Sequence, residues 1–149
     1  MSRTPGTPVT RIHEVGERAL IEQLRRVFAR VDPRVVLGIG DDAAILSVHA
    51  PLCVTTDSIE AGVDWLIDRT PRDAIGHRAA AVNLSDLAAM GAEPLALTLA
   101  LELPSTTPVA DILTSARAMA RLASEHNATV VGGDIGVGST ERWTVTAMG

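Results

Sequence analysis

A glycine turn that carries two adjacent aspartates is the segment of this sequence most suited to chemistry. It reads Gly38-Ile39-Gly40-Asp41-Asp42, and glycine tolerates the backbone angles of a tight turn that presents both carboxylates. Further aspartates lie beside apolar runs at Asp57, Asp86 and Asp134. Because Mg²⁺ prefers hard oxygen ligands and is usually held by a few carboxylates plus substrate phosphates, these aspartates predict a site for several divalent cations.

Each of these aspartates also has an ordinary structural explanation. The pair after Gly40 could belong to a common hairpin-type turn, Asp57 could cap a turn at a strand end, and Asp86 could lie on a solvated helix face. The neighbours of Asp86 are apolar, however, so we expect an enclosed carboxylate that needs a partner. The amides of Gly132-Gly133-Asp134 could form an anion nest. Taken together, the four segments favour a metal and phosphate site, with one aspartate from each converging in a single cleft around shared cations.

The composition limits the kinds of protein this can be. With 149 residues, 46% of them hydrophobic, the chain can bury one core and is predicted to be a single domain. A net charge of -5 gives no electrostatic footprint for nucleic acid. No apolar run reaches the roughly 20 residues that span a bilayer, and the start lacks the apolar stretch of a signal peptide. We therefore expect a cytoplasmic protein with neither a membrane nor a nucleic-acid partner.

Arginine supplies every strongly basic side chain. All 13 basic residues are arginines, which excludes the phosphate-binding lysine of a P-loop and lysine-based Schiff-base chemistry. Serine-nucleophile motifs and paired histidines at zinc spacing are also missing from the sequence. Metal ions and backbone N–H groups would have to hold any nucleotide phosphates, and direct phosphoryl transfer fits this set of residues best.

Apolar spacing and capping residues predict three helices. An amphipathic helix is expected over residues 14–31. A second begins at Thr70-Pro71, with Thr70 as N-cap, and stops at Gly91. A third begins at Thr107-Pro108 and ends at Asn127 in a left-handed conformation.

Short apolar runs between turn residues predict strands and a mixed sheet. The second and third strands are expected to form a hairpin, and the last two are expected to be joined by a glycine-rich loop over Gly132–Ser139. This mixture of hairpins and crossover helices favours an α/β fold with a mixed sheet. Leu95–Leu103 is apolar on both faces, which predicts a homodimer that buries the surplus. The expected strands are Val35–Leu37, Ala43–Val48, Leu52–Thr56, Leu95–Leu103, Thr129–Val131 and Arg142–Met148.

Taken in order, several segments resemble the N-terminal half of the thiamine-monophosphate kinases. Their superfamily includes aminoimidazole ribonucleotide synthetase, selenophosphate synthetase and the hydrogenase-maturation dehydratase. The resemblance covers residues 12–149, and Val82–Ala92 is its most specific stretch because no generic helix needs that order of residues. The matching segments are Gly16-Glu17, Gly40–Ala44, Thr55–Asp57, Gly62-Val63, Ala81–Ala92 and Gly132–Asp134.

The resemblance implies a fold, a reaction and a set of site residues. The implied fold is an α/β domain with a mixed sheet and helices on one face. Two copies would close a shared barrel as a homodimer, with active sites in clefts near the interface. The implied reaction moves the γ-phosphoryl group of ATP onto thiamine monophosphate, giving thiamine diphosphate and ADP, with Mg²⁺ as cofactor. Gly133 and Asp134 would lie at the ATP phosphates. The implied magnesium ligands are Asp41, Asp42, Thr55, Thr56, Asp57, Asp86 and Asp134.

Two departures from the family pattern bear on substrate and activity. Where the family reads Glu-Gly-Val-His-Phe, with the histidine touching substrate, this chain reads Ala61–Trp65, so Asp64 becomes the substrate-side residue. The family's C-terminal domain is also absent, which leaves a predicted disordered tail at 1–11 and an ATP- and Mg²⁺-binding domain at 12–149. Thiamine-monophosphate kinase chemistry, with little turnover by the chain alone, is the leading hypothesis. The alternatives are an ATP-dependent synthetase with a different acceptor, which Asp64 favours, and a non-catalytic dimerisation or nucleotide-binding module.

Overall fold

A mixed sheet with two long helices on one face forms the body of the protein. It is described here from a computed structural model over residues 9–149; residues 1–8 of the predicted tail lie outside the described residues. The predicted α/β class with a mixed sheet is confirmed. In chain order the elements are α1 (Ile12–Val15), α2 (Glu17–Val27), β1 (Val35–Leu37), β2 (Ile45–Leu46), β3 (Val54–Glu60), α3 (Arg72–Ala89), β4 (Ala96–Leu103), α4 (Val109–Glu125), β5 (Thr129–Val137) and β6 (Arg142–Met148).

The main sheet has the strand order β3-β6-β4-β5, and β1 pairs with β2 in a small separate sheet. Strands β4 and β5 are parallel, joined through α4, whereas β6 is antiparallel to both β3 and β4. Alternate residues of the central strands, such as Leu99 and Val145, are buried on the helix side. The opposite side has half-buried polar residues along its centre, Thr98, Thr144 and Thr146. At one end of that side, Ala96 is buried in a small cluster to which β1 and β2 contribute Val35 and Leu46. The main sheet thus has one face covered by helices and one face, here called the open face, that is covered only at this end.

Small residues let α3 and α4 pack closely enough to cover that face. A Cβ atom added at Gly76 would lie 1.7 Å from the backbone oxygen of Ser115, so only glycine fits this crossing. The Ser115 hydroxyl donates to the Arg72 backbone oxygen at 2.7 Å, which ties the start of α3 to the middle of α4. Alanines such as Ala79 and Ala116 are buried in the same core. No helix among residues 9–149 is long and apolar enough to cross a membrane.

A buried ion pair joins the start of α3 to the start of β6. Arg72 donates two hydrogen bonds to the Glu141 carboxylate, at 2.9 and 2.5 Å. The indole N–H of Trp143 donates to the same carboxylate at 2.7 Å. Glu141 is 8% exposed and Trp143 is fully buried. Since a buried carboxylate is stable only when its oxygens are satisfied, the three side chains form one structural unit.

The predicted hairpin between the second and third strands is wrong. Strand β2 pairs with β1, and β3 pairs with β6, 82 or more residues further along the chain. Cys53 and Gly149 exchange two backbone hydrogen bonds, at 2.7 and 3.0 Å, which extend the pairing of β3 with β6. The local turn signal at His49-Ala50-Pro51 is therefore overridden by pairing between distant segments.

Three other boundaries differ from those predicted. The helix predicted over residues 14–31 is broken at Gly16, whose φ of 78° is left-handed, and α2 ends at Val27. Strand β3 continues to Glu60, so Asp57 lies within a strand. Strand β5 continues to Val137 because it pairs with β4 along its length, which leaves only a short turn where the loop Gly132–Ser139 was predicted.

Helix ends show which capping signals held. Asn127 has a φ of 57°, so the predicted left-handed end of the α4 segment is confirmed. Gly91, with a φ of 70°, follows the end of α3 as predicted. Thr70 is not the N-cap of α3: Pro71 occupies that position, and the Thr70 hydroxyl accepts a hydrogen bond from the Leu66 N–H instead.

One ion pair fixes the entry to β1, just before the aspartate turn. The Asp32 carboxylate accepts bonds from the backbone N–H and the guanidinium of Arg34, at 2.8 to 3.0 Å. Arg34 also donates to the Asn127 backbone oxygen at 2.6 Å, beyond the end of α4. The Arg34 side chain lowers the pKa of the buried Asp32 carboxyl to about 2.

Replacing Asp32 by asparagine tests this anchor. Because the folded-state pKa lies below the unfolded value of about 3.9, the pair stabilises the fold fully above about pH 4 and loses that effect as the pH falls toward 2. Asp32→Asn should lower the free energy of unfolding by about 1–3 kcal/mol at pH 7. In thermal unfolding, the difference from wild type should shrink between pH 4 and pH 2. Asp68→Asn, at an exposed position, is the control; an equal loss at all pH values would contradict the ionic role of Asp32.

Candidate phosphate and metal site

The aspartate turn and the Gly-Gly-Asp segment line one cleft. Its volume is about 690 Å³, and its walls are α2, the turn 39–42, and strands β4 and β5. Asp41, Asp42 and Asp134 all line it and are all exposed. The Asp42 backbone N–H donates to the Asp41 carboxylate at 2.9 Å, which orders the turn. The structure therefore brings together two of the segments that the sequence singled out.

Two adjacent glycines form the floor of this cleft for different reasons. A Cβ atom on Gly133 would lie 1.9 Å from the Leu99 backbone oxygen, and the φ of 154° disfavours any side chain there. A Cβ atom on Gly132 would meet nothing within 4 Å. Gly133 is thus required by the close approach of β5 to β4, whereas the bare backbone at Gly132 leaves space in the cleft.

The other predicted ligands gather where β3 meets α3. The Thr55 hydroxyl donates to the Asp86 carboxylate at 2.7 Å. The Asp57 backbone N–H donates to the Asn83 side-chain oxygen at 3.0 Å, and the Asn83 amide donates to the Ala79 backbone oxygen at 3.1 Å. Asp86 is half-buried, and the Thr55 hydroxyl is the partner that was expected for a carboxylate among apolar neighbours. Asp57 is exposed.

Thr56 lies apart from its neighbours in sequence. Successive strand residues point to opposite sides of a sheet, so Thr55 and Asp57 share the helix side and Thr56 faces the open side. The Thr56 and Thr146 hydroxyls are 2.8 Å apart there. Only one of the two adjacent threonines is therefore placed beside Asp57 and Asp86.

The expectation that four aspartates meet in one cleft of a single chain is wrong. Asp57 is in β3 and Asp134 is in β5, which are the two edges of the main sheet. Three strand spacings of about 4.8 Å separate the edges by about 14 Å. Within residues 9–149, no three His, Cys, Asp or Glu side chains are grouped to hold one metal ion. The structure instead forms two half-sites, which we name the β5 half-site (Asp41, Asp42, Gly133, Asp134) and the β3 half-site (Thr55, Asp57, Asp86).

The donor chemistry of both half-sites nevertheless fits Mg²⁺. Every side-chain donor is a carboxylate or hydroxyl oxygen, which is the ligand type that Mg²⁺ prefers. None of the five aspartates forms an ion pair with an arginine in the described part of the chain, although seven other ion pairs are present there. The β3 half-site supplies two carboxylates and the β5 half-site supplies three, and one or two carboxylates usually accompany the phosphate oxygens around each Mg²⁺ ion.

Asp64 is a structural residue of the turn after β3. One carboxylate oxygen accepts the Glu60 backbone N–H at 2.8 Å, and the other lies 3.6 Å from an Arg78 guanidinium nitrogen. Arg78 also donates to the Asp64 backbone oxygen at 2.6 Å. The negative charge of Asp64 is thus compensated by a neighbouring cation from α3.

Sequence reasoning missed two residues that the structure places at the half-sites. Asn83 was covered only as part of the matching segment Ala81–Ala92, but it is fully buried and its side-chain oxygen accepts a hydrogen bond from the Asp57 backbone N–H. Its position in an apolar helix was the available signal. Arg18 lines the cleft of the β5 half-site from α2; nothing in the local sequence indicates this, because it depends on how α2 packs on the sheet.

The fold and the two half-sites define a known class of domain. A family model described as AIR synthase related protein, N-terminal domain, matches residues 40–149. The match includes the aspartate turn, both half-sites and all four strands of the main sheet. The chain therefore belongs to the AIR synthase related protein family, and it corresponds to the N-terminal domain of that family.

Individual relatives are thiamine-monophosphate kinases, which confirms the resemblance seen in the motifs. The chain is 39% identical to the thiamine-monophosphate kinase of Synechococcus elongatus over 140 residues, 93% of this chain and 41% of that protein. The crystal structure of the Stenotrophomonas maltophilia thiamine-monophosphate kinase matches with a TM-score of 0.73 at 41% identity, covering 87% of this chain and 40% of that one. A structure of AaThiL complexed with AMPPCP and TMP matches with a TM-score of 0.64 at 29% identity, covering 94% and 43%. The chain spans about two fifths of the length of these relatives.

The two glycines should respond differently to alanine. Gly133→Ala should lower the free energy of unfolding by about 3 kcal/mol, because the new methyl group clashes with the Leu99 backbone. Gly132→Ala, the matched control, should change it by less than about 0.5 kcal/mol, because its methyl group meets open space. Chemical denaturation of both variants measures this. Equal stability of the two variants would contradict the close approach of β5 to β4.

Proposed function

We propose that this chain is the nucleotide- and magnesium-binding part of a thiamine-monophosphate kinase. The reaction transfers the γ-phosphoryl group of ATP to thiamine monophosphate, giving thiamine diphosphate and ADP. The observation that carries this proposal is the cleft that Asp41, Asp42 and Asp134 line without arginine partners, beside an exposed glycine backbone at Gly133. The identity to thiamine-monophosphate kinases supports the same conclusion.

Phosphoryl transfer suits a site made of carboxylates and backbone amides. The reaction needs positioning and charge neutralisation rather than a covalent intermediate with the protein. Bound Mg²⁺ would supply charge neutralisation at the phosphate oxygens. In the β5 half-site, Asp41, Asp42 and Asp134 would supply carboxylate ligands to the metal ions of the bound nucleotide, and the Gly133 backbone would approach the phosphates. In the β3 half-site, Asp57 and Asp86 would hold Mg²⁺, with the Thr55 hydroxyl fixing one carboxylate.

Thr56 is left out of this ligand set. Its hydroxyl is paired with Thr146 on the open face of the sheet. A metal at Asp57 and Asp86 would lie on the other face. Of the adjacent residues Thr55 and Thr56, we therefore propose that only Thr55 has a side chain at the metal site.

A homodimer would join the two half-sites. Strands β3 and β5 are the free edges of the main sheet. The open face is covered among residues 9–149 only at the end near β1 and β2, and its centre at Thr98, Thr144 and Thr146 is half-buried. A two-fold axis that closes two sheets into a barrel would place β3 of one copy beside β5 of the other. The β3 half-site of each copy would then lie next to the β5 half-site of its partner. Full barrel closure also removes exposed strand edges, which favour aggregation.

Thiamine monophosphate remains a suitable acceptor despite Asp64. An uncompensated carboxylate would repel the acceptor phosphate, but the Asp64 oxygens contact the Glu60 N–H and Arg78. The turn carrying Asp64 can therefore lie on the acceptor side without a free negative charge. The alternative of a synthetase with a different acceptor loses the observation that favoured it.

Nucleotide binding tests the β5 half-site. In calorimetric titration, the chain should bind AMPPCP when Mg²⁺ is present, and chelating the metal should abolish binding. Asp134→Asn should weaken binding by about tenfold or more, because it removes one charged ligand. Asp68→Asn is the control, since Asp68 is exposed and lies outside the cleft. Undiminished binding by Asp134→Asn would remove the β5 half-site from the nucleotide site.

Light scattering tests the proposed dimer. Wild type should be a dimer at micromolar concentration, with an interface above about 2,000 Å² in total. Thr98→Glu should give a folded monomer, because Thr98 lies on the open face and the barrel interior cannot solvate two new charges. Thr114→Glu, at an exposed site on α4, should stay dimeric. A monomeric wild type would count decisively against the joined half-sites.

A further inference from the structure

An arginine of α2 lines the same cleft as the β5 half-site. Arg18 lies one turn before Ile21, and both line the wall opposite the aspartate turn and the Gly-Gly-Asp segment. Arg25, two turns further along α2, lines the same wall. The helix side of the cleft therefore carries Arg18, Arg25 and the acidic Glu17, whereas the loop and strand side carries only aspartates as charged residues.

The two arginines of this wall differ in their partners. Arg25 donates to the Glu22 carboxylate at 2.9 and 3.4 Å. Arg18 is exposed and forms no ion pair and no side-chain hydrogen bond with any of residues 9–149. No carboxylate of the opposite wall lies within 4.0 Å of Arg18, although Asp41, Asp42 and Asp134 line the same space. Arg18 is thus the arginine of this cleft that is available to a ligand.

The ligand that suits Arg18 must be anionic and must span the cleft. A guanidinium binds phosphate through two parallel N–H···O bonds, with geometry that a single ammonium cannot match. Metal ions on the opposite carboxylates would attract the same phosphates from the other side. Because the chain has no lysine, no other side chain type can supply a permanent positive charge here.

We propose that Arg18 binds the phosphate chain of the nucleotide in this cleft, opposite the carboxylates of the β5 half-site. This inference rests on the proposed function and adds a binding residue to it. Arg18 donates hydrogen bonds to the polyphosphate from α2, while Asp134 and the aspartates of the turn 39–42 would bind it through metal ions. Arg18 contacts the phosphates and not the nucleoside, so it does not change the affinity for ligands that lack phosphate.

Calorimetric titrations with three probes test the inference on the intact chain in Mg²⁺. AMPPCP represents the nucleotide, inorganic tripolyphosphate its phosphate chain, and adenosine its nucleoside. Arg18→Gln should weaken binding of AMPPCP and tripolyphosphate by roughly 10- to 100-fold and leave adenosine unchanged. Arg18→Lys should recover part of the loss, because it restores the charge without the fork. Arg117→Gln is the matched control, an exposed helical arginine outside the cleft.

The outcomes separate the inference from the proposed function. If Arg18→Gln binds AMPPCP and tripolyphosphate as wild type does, the role of Arg18 is overturned and nucleotide binding stands. If wild type binds tripolyphosphate in an Arg18-dependent way but does not bind AMPPCP, the phosphate role of Arg18 stands and the nucleotide function falls. Wild type that binds neither probe overturns both. Circular dichroism of each variant confirms that the helix is intact.

Discussion

Coverage of only one face of the main sheet is the constraint on which the rest of this structure depends. The close crossing of α3 and α4 at Gly76 and Ser115 lets two helices seal the leucine-rich side. Both long helices lie on that side, so the centre of the other side and the edges β3 and β5 have no helix over them in the described chain. Because the chemical groups lie at those edges, the packing that builds the core also decides that the site is divided.

Local signals in the sequence predicted much of the fold, and distant pairing explains most of what they missed. Asn127 marks the end of α4 and Arg142–Met148 is a strand, because capping and apolar alternation depend on neighbouring residues. The hairpin prediction was wrong because β3 pairs with β6, and no short-range sequence pattern encodes a pairing between such distant segments. Candidate site residues were chosen from the sequence by their chemical type, but their division into two groups follows from the strand order. Arg18 escaped notice because its role depends on the packing of α2.

Electrostatics gives the two half-sites a common character. Elsewhere in the described chain, carboxylates such as Asp32 and Glu141 are satisfied by arginines. The half-site aspartates form no ion pair with an arginine in the described chain, so their negative charges are not neutralised by neighbouring side chains. Ligand cations would relieve that repulsion on binding, which couples occupancy of the site to the stability of its loops and edges. With the proposed role of Arg18, an arginine on α2 would add affinity for a ligand that carries both metal and phosphate.

The buried unit of Arg72, Glu141 and Trp143 also gives the protein an intrinsic fluorescence probe. The chain has two tryptophans and no tyrosine, and both Trp65 and Trp143 are buried. The Trp143 indole is held against the Glu141 carboxylate, which is itself bound to Arg72 of α3. Its emission therefore depends on the electric field of a buried ion pair at the junction of α3 and β6. Ultraviolet fluorescence would report the docking of that helix on the sheet without any added label.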